Sequence, residues 1–160
     1  MLSVRGFTLF ELLIVMSLIA IVSAMAVPGM MQSSARNSVW TASETIGTQI
    51  RQARLKAISR NMSFQIRFDC PSAGQFRVLA VDSTINDTDR CDNIIDYDSG
   101  VFTMPNGVSY GSPPPLLEVN SRGTFESSTG IPATITVTSA GSSSRSLNMS
   151  ATGQITFDVY

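Results

Sequence analysis

One carboxylate in this chain stands where water is scarce. Between Phe7 and Val27, in the run FTLFELLIVMSLIAIVSAMAV, Glu11 is the sole ionisable side chain. A charge in hydrocarbon costs about 2.5–3.5 kcal/mol at mid-membrane and less near an interface. The plain reading is a signal peptide or a simple membrane anchor with a tolerated Glu; a carboxylate inside such a run is otherwise a candidate functional group. Two further sets of residues carry reactive or ligating atoms. Cys70 and Cys91 are the two cysteines of the chain, and bridging them would close a loop of about 20 residues and stabilise the fold by about 3 kcal/mol. Asp82, Asp87, Asp89, Asp92, Asp96 and Asp98 crowd one turn-rich stretch. Calcium takes several oxygen ligands, but the spacing lacks the D-x-[DN]-x-[DN]-G-x₅-E loop pattern, so this stretch reads as a solvated acidic loop.

The chain has no histidine, which removes the commonest general base and the commonest metal ligand. Two isolated cysteines then make neither a metal centre nor an activated thiol, and the reading is a structural disulfide. No nucleophile–base pair, metal-ligand spacing or phosphate loop appears. The chain reads as a non-enzyme with no cofactor. Net charge is −1 and charged residues make up 14% of the 160, so no global field marks a nucleic-acid binder.

The elements that place these groups begin with the apolar run. Its 21 residues make about 31 Å of helix, enough to cross a bilayer core. A signal peptide is the competing reading, yet the run exceeds a signal core, and Ser23-Ala24-Met25 alone resembles a cleavage site. Pro28 should kink or loosen the helix, and an amphipathic continuation is predicted over 28–61. Val39, Ala42, Ile46, Ile50, Ala53 and Ala57 fall in one stripe that should pack on a sheet. Trp40 and Ile58 lie outside it, open to neighbouring subunits or to solvent.

From Met62 the period changes to two. Phe64, Ile66 and Phe68 alternate with polar residues, Pro71–Gly74 turns the chain, and Phe76–Val81 returns. Further strands are predicted near Val101–Met104, Leu116–Val119, Gly123–Phe125, Ala133–Val137, Ser146–Met149 and Gln154–Val159, with a flexible loop at Ser139–Ser144. The expected fold is α+β: one long N-terminal helix on a small antiparallel β-sheet domain spanning 62–160.

The leader Met1-Leu2-Ser3-Val4-Arg5-Gly6, followed by Phe7-Thr8-Leu9-Phe10-Glu11, resembles the processing site of type IV pilins and type II secretion pseudopilins. That resemblance implies a cleaved leader (1–6), cut after Gly6 by a prepilin peptidase that methylates the new Phe7 amine. It implies a membrane and assembly helix (7–27) in which Glu11 neutralises the Phe7 amine of a neighbouring subunit. Ile50–Asn61, Arg122-Gly123-Thr124-Phe125, Ile135-Thr136-Val137 and Arg145–Ile155 resemble pseudopilins of the GspH/FimT type. The implied role is a minor pilin or pseudopilin of a type IV pilus or type II secretion pseudopilus that primes or caps assembly. Its partners would be other pilin subunits, the peptidase, the inner-membrane assembly platform and the membrane. Its place would be the bacterial inner membrane, single-pass with the C-terminal domain in the periplasm, then the filament. Arg5 on the short leader agrees with that orientation, and a periplasmic domain could keep a disulfide.

DNA uptake is the alternative role, since some FimT-type relatives bind DNA through a Gly-Arg-x-Arg stretch. Gly153-Gln154-Ile155-Thr156 stands there in this chain, with neither arginine. Arg51, Arg54, Lys56 and Arg60 are the other candidates for phosphate contact. Their spread around the helix reads instead as a solvated surface.

Overall fold

The structure is a computed structural model that describes residues 7–81, 90–92, 95–140 and 143–159. The leader with Gly6, the residues Asp82, Asp87 and Asp89, and Gly141-Ser142 of the predicted loop lie outside the described residues. The chain divides into two compact units, Met1–Ser34 and Ala35–Tyr160.

Helix α1 spans Leu9–Arg60 and passes through Pro28. Both ends have identifiable caps. At the start, Thr8 Oγ1 accepts the Glu11 backbone N–H at 3.2 Å, which satisfies one of the orphan donors of the first turn. At the end, Asn61 takes the left-handed conformation with φ of 52°. The Met62 N–H then reaches back to the Ala57 carbonyl at 3.2 Å, the six-to-one bond of a Schellman cap.

In the second unit the predicted stripe is the buried one: Val39, Ala42, Ile46, Ile50, Ala53 and Ala57 are each no more than 3% exposed. Among the described residues nine strands follow. Strands β1 (Phe64–Phe68), β2 (Gln75–Ala80), β3 (Phe102–Thr103), β5 (Leu117–Val119) and β6 (Phe125–Ser127) form one sheet, ordered β3-β2-β1-β5-β6. The remaining strands, β4 (Val108–Tyr110), β7 (Ala133–Ser139), β8 (Ser144–Met149) and β9 (Ile155–Val159), form a second, ordered β4-β7-β8-β9. All pairings are antiparallel. The α1 stripe shares one core with Phe64, Ile66, Phe76, Val78, Leu117, Val119 and Phe125 of the first sheet, and with Ile135, Val137, Leu147 and Met149 of the second. The fold is one long helix packed on antiparallel sheets.

Three sequence expectations shift. The strands divide into two sheets, and β4, at the edge of the second, is a strand the sequence pattern did not show. Three residues between a turn at Asn106-Gly107 and the bend at Gly111 give too short a run for alternation to register. The strand expected at Gly123–Phe125 begins two residues later. Gly123 has φ of 79° and closes a turn in which its N–H donates to the Asn120 carbonyl at 2.8 Å, so it cannot also extend. The return strand β2 starts at Gln75 and ends at Ala80.

The acidic stretch is bound to β2. Val78 N–H donates to Ser99 Oγ and Ala80 N–H to Asp98 Oδ1, each at 2.8 Å. These side chains take the place of a neighbouring strand where β3 does not reach. Asp98 is gripped in turn by Arg90, with contacts of 2.6 and 2.7 Å, and its side chain is 0% exposed. Burial alone would raise the Asp98 carboxyl. The Arg90 guanidinium and the N–H groups of Ile95 and Ala80 overcome that and hold it below its ordinary value of 3.8.

A carboxyl depressed on folding contributes stability above its unfolded value, and that contribution disappears as pH falls through the lower folded value. Asp98→Asn should therefore cost about 3–5 kcal/mol near neutrality, the range for breaking a buried pair. It should also flatten the acid limb of stability against pH. Chemical denaturation of the full chain in detergent from pH 7 to 2 checks both; an unchanged acid limb would show that Asp98 does not set it.

Candidate assembly surface

The N-terminal unit has no interior for its apolar side chains. Phe7, Leu9 and Phe10 are 77%, 82% and 73% exposed, and Met25 is 79% exposed. The first unit of α1 carries an apolar window of membrane-crossing length, none of it buried. Glu11, exposed within this surface, lies in the first turn of α1. Thr8 and Glu11 stand in the T-x-x-E spacing of a capping box. Thr8 fixes where the helix begins and leaves Phe7 outside it. The sequence signal for this was present, since Thr8 three residues before a glutamate at the head of an apolar run is a helix-start pattern. A carboxylate in the first turn also faces the positive end of the helix dipole.

The cysteines meet. Cys70 and Cys91 form a disulfide with their Cα atoms 5.4 Å apart. Arg77, buried on the outer face of β2, donates to the Cys91 carbonyl at 2.8 Å and the Ser99 carbonyl at 3.0 Å. Covalent link, Arg77 and the Arg90–Asp98 pair therefore hold the same segment.

The four helix cations do not meet. Arg54 Nε donates to the Gly123 carbonyl at 3.1 Å, on the side of the β5–β6 turn. Arg60 lies 4.4 Å from the Tyr97 ring centroid, on the side of the acidic stretch. Arg51 is exposed and, nine residues earlier at about 100° per residue, points away from Arg60 by roughly half a turn. Lys56 is half-buried. They make no single phosphate track.

A cation the sequence reading did not single out is the most enclosed of the helix-facing set. Arg145 of β8 lies between two aromatic rings, 4.0 Å from Trp40 and 4.1 Å from Phe157, and 3.1 Å from Glu44 Oε1. Trp40 remains 53% exposed, so one ring face is held by Arg145 while much of the residue stays open. Cation–π contact of this kind is worth about 0.5–2 kcal/mol. The residues 105 positions apart in the chain gave no local signal.

An exposed apolar helix with a capped start, carried by a helix-and-two-sheet unit, defines a protein of the pilin class. Two family profiles agree: "Prokaryotic N-terminal methylation motif" matches residues 1–27, and "Type II transport protein GspH" matches residues 42–153. The chain belongs to the GspH family. A curated relative, the pilin-like protein PilA1 of Thermus thermophilus, is 34% identical over 82 residues, 51% of each chain. The match thus spans about half the length of that relative. The minor pseudopilin EpsH of the Vibrio cholerae type 2 secretion system has a TM-score of 0.55 at 15% identity, covering 76% of this chain and 97% of EpsH. The type IV minor pilin FimU of Pseudomonas aeruginosa gives 0.52 at 16% identity, covering 77% and 90%. At these identities the two structures share the fold.

Replacing Cys70 and Cys91 by serine should lower stability by about 2–4 kcal/mol. Arg77 and Asp98 should still hold the loop in place, so the Val78 and Ala80 amides bonded to it should lose no more hydrogen-exchange protection than the core as a whole. Thermal unfolding with hydrogen exchange separates the two effects; a melting point unmoved by the double replacement would contradict a structural role.

Proposed function

We propose that this chain is a minor pilin or pseudopilin, a structural subunit that enters a type IV pilus or type II secretion pseudopilus and helps prime or cap its assembly. The observation that carries this reading is the apolar helix with Glu11 as its sole charge. A membrane anchor needs the apolar length, but it gains nothing from a carboxylate. A subunit whose helix packs among copies in a filament gains a specific partner for it. Cleavage after Gly6 creates a cation at Phe7, and the Glu11 carboxylate of a neighbour neutralises it inside an apolar bundle. Thr8 supports that pairing from within the chain, because its cap leaves the Phe7 amine free of the helix hydrogen-bond ladder. The prepilin peptidase and the inner-membrane platform are the partners this route requires. The C-terminal unit then resides in the periplasm before assembly, where the Cys70–Cys91 disulfide persists.

Processing gives the first test. Cells with active peptidase should yield a mature chain beginning at methylated Phe7, and a bulky residue at Gly6 should leave the precursor intact. Intact-mass measurement showing Met1 retained, or cleavage near Ala24, sinks the proposal. Assembly gives the second. Glu11→Ala should leave a stable, processed, membrane-resident protein whose recovery with sheared filaments falls by orders of magnitude, because a broken buried pair costs about 3–5 kcal/mol. Normal recovery of Glu11→Ala would remove the physical basis of the reading.

A further inference from the structure

A sheet that ends on an open strand leaves a row of backbone donors and acceptors without partners. Among the described residues the outermost strands are β3 and β6 in the first sheet and β4 and β9 in the second. Three of these edges are blunted. Strand β3 has only two residues. In β6 the Phe125 N–H donates to the Ala151 carbonyl at 2.8 Å, and the Ser127 carbonyl accepts the Gly130 N–H at 3.1 Å. In β4, three residues long, the Val108 N–H turns back to the Pro105 carbonyl at 3.2 Å, and Pro113-Pro114-Pro115 follow soon after. Strand β9 differs. It has five residues and no proline, and it pairs with β8 along its whole length.

The turn before β9 fixes which of its backbone groups are free. The Ser150 N–H donates to the Gln154 carbonyl at 3.0 Å, so Gln154 faces β8. Bonding alternates along an antiparallel pair, and the next residues to face β8 are Thr156, opposite Asn148, and Asp158, opposite Ser146. Ile155, Phe157 and Val159 therefore turn their N–H and C=O groups away from β8. Among the described residues no strand or turn bonds to them from that side. The side chains beside this edge belong to α1. Phe157 packs on the helix, where a Cβ at Gly47 would stand 3.2 Å from its Cζ. Trp40 and Glu44 are rotated about 20° and about 60° further from the buried stripe than Gly47. Trp40 shares Arg145 with Phe157 and is more than half exposed. An open aromatic thus stands next to an open strand.

We infer that β9 is where an extended segment of a different pilin-class subunit adds to the second sheet as a fifth strand. Outward N–H and C=O groups at every second residue are the complement of an extended chain, and main-chain bonds supply the affinity of such an addition. The added strand lies about 4.8 Å beyond β9. Its side chains on the helix side meet Trp40 and are apolar there. Those on the other side lie beside Thr156 and Asp158, which suits hydroxyl or basic residues. A second copy is the poorer occupant. An antiparallel β9–β9 pair is isologous and closes as a dimer, which uses both edges and joins neither copy to a subunit of another kind. This inference rests on the filament reading and adds to it the place and chemistry of one contact made by the second unit.

Residue-resolved hydrogen exchange of the full chain, in detergent and in sheared filaments, reads the edge directly. In detergent the Thr156 and Asp158 amides should be protected while those of Ile155 and Phe157 exchange freely; in filaments the latter two should slow by about tenfold or more. A photoreactive residue at Thr156, which is exposed, should link in filaments to a pilin-class subunit other than this chain. Proline at an outward position removes an N–H without removing a bond to β8. Filament recovery of Ile155→Pro should therefore fall about tenfold below that of Ile155→Ala, which loses the same side chain and keeps the N–H. The exchange measurement on wild type decides the matter where Ile155→Pro fails to fold. Ile155 and Phe157 already protected in detergent would mean that the chain itself, or at dimer mass a second copy, covers the edge. Exchange unchanged on assembly, a Thr156 link to this same chain, or equal recovery of folded proline and alanine variants would mean that no foreign strand adds. Each of these overturns the inference and leaves the filament reading standing. Wild type absent from filaments sinks that reading and the inference with it.

Discussion

A helix that leaves its apolar side chains in the open obliges something else to cover them. In α1 the same kind of residue has two fates. Ile46 and Ile50 are at most 1% exposed, whereas Ile14, Ile19 and Ile21 are 46–56% exposed. At about 25 cal/mol per Å² of apolar surface removed from water, that second set is tolerable only in lipid or among other helices. The rest of the structure follows from this division. The sheets supply cover to Val39–Ala57, and in the proposed role the membrane and then the assembled bundle supply it to the residues before Pro28.

Covering one stripe of a helix with two small sheets leaves a unit with limited core, and the chain compensates at the margins. The acidic stretch is fastened to the β1–β2 hairpin three ways: by the disulfide to Cys70 in its turn, by Arg77 on backbone carbonyls, and by Asp98 between Arg90 and two backbone N–H groups. Buried arginines on carbonyls and a carboxylate are stabilising only when their donors find partners, and here the partners are the Cys91 and Ser99 carbonyls for Arg77 and Asp98 with the Ala80 carbonyl for Arg90. On the other side of the unit, Arg145 ties β8 to α1 through Trp40 and Glu44. Both devices tie segments distant in the chain to the helix-and-sheet core of the second unit.

The long-period features were legible in the sequence. The α1 stripe repeats over five turns, so its buried positions could be named residue by residue, and a carboxylate alone in 21 apolar residues is a signal against a flat background. The short-period features were less so. A three-residue strand such as β4 has no alternation to read, and β6 was displaced because Gly123 serves a turn whose geometry depends on Asn120 and on α1 beneath it. Arg145 and Arg90 were invisible for a different reason: each finds its place through partners distant in the chain or through backbone groups, which composition does not encode. Arg51, Arg54, Lys56 and Arg60 are neighbours in the chain, but helical rotation spreads them: Arg54 reaches the β5–β6 turn and Arg60 the Tyr97 ring.

The central claim is that the exposed half of α1 is covered by other subunits, and site-specific photo-cross-linking within it is the most direct measurement. A photoreactive residue at Ile14, 46% exposed, would be activated in membranes of cells that are assembling filaments. Cross-links to another processed pilin-class subunit, lost when assembly is switched off, are the expected result. Cross-links to lipid alone in both conditions would mean that the helix is an anchor and nothing more.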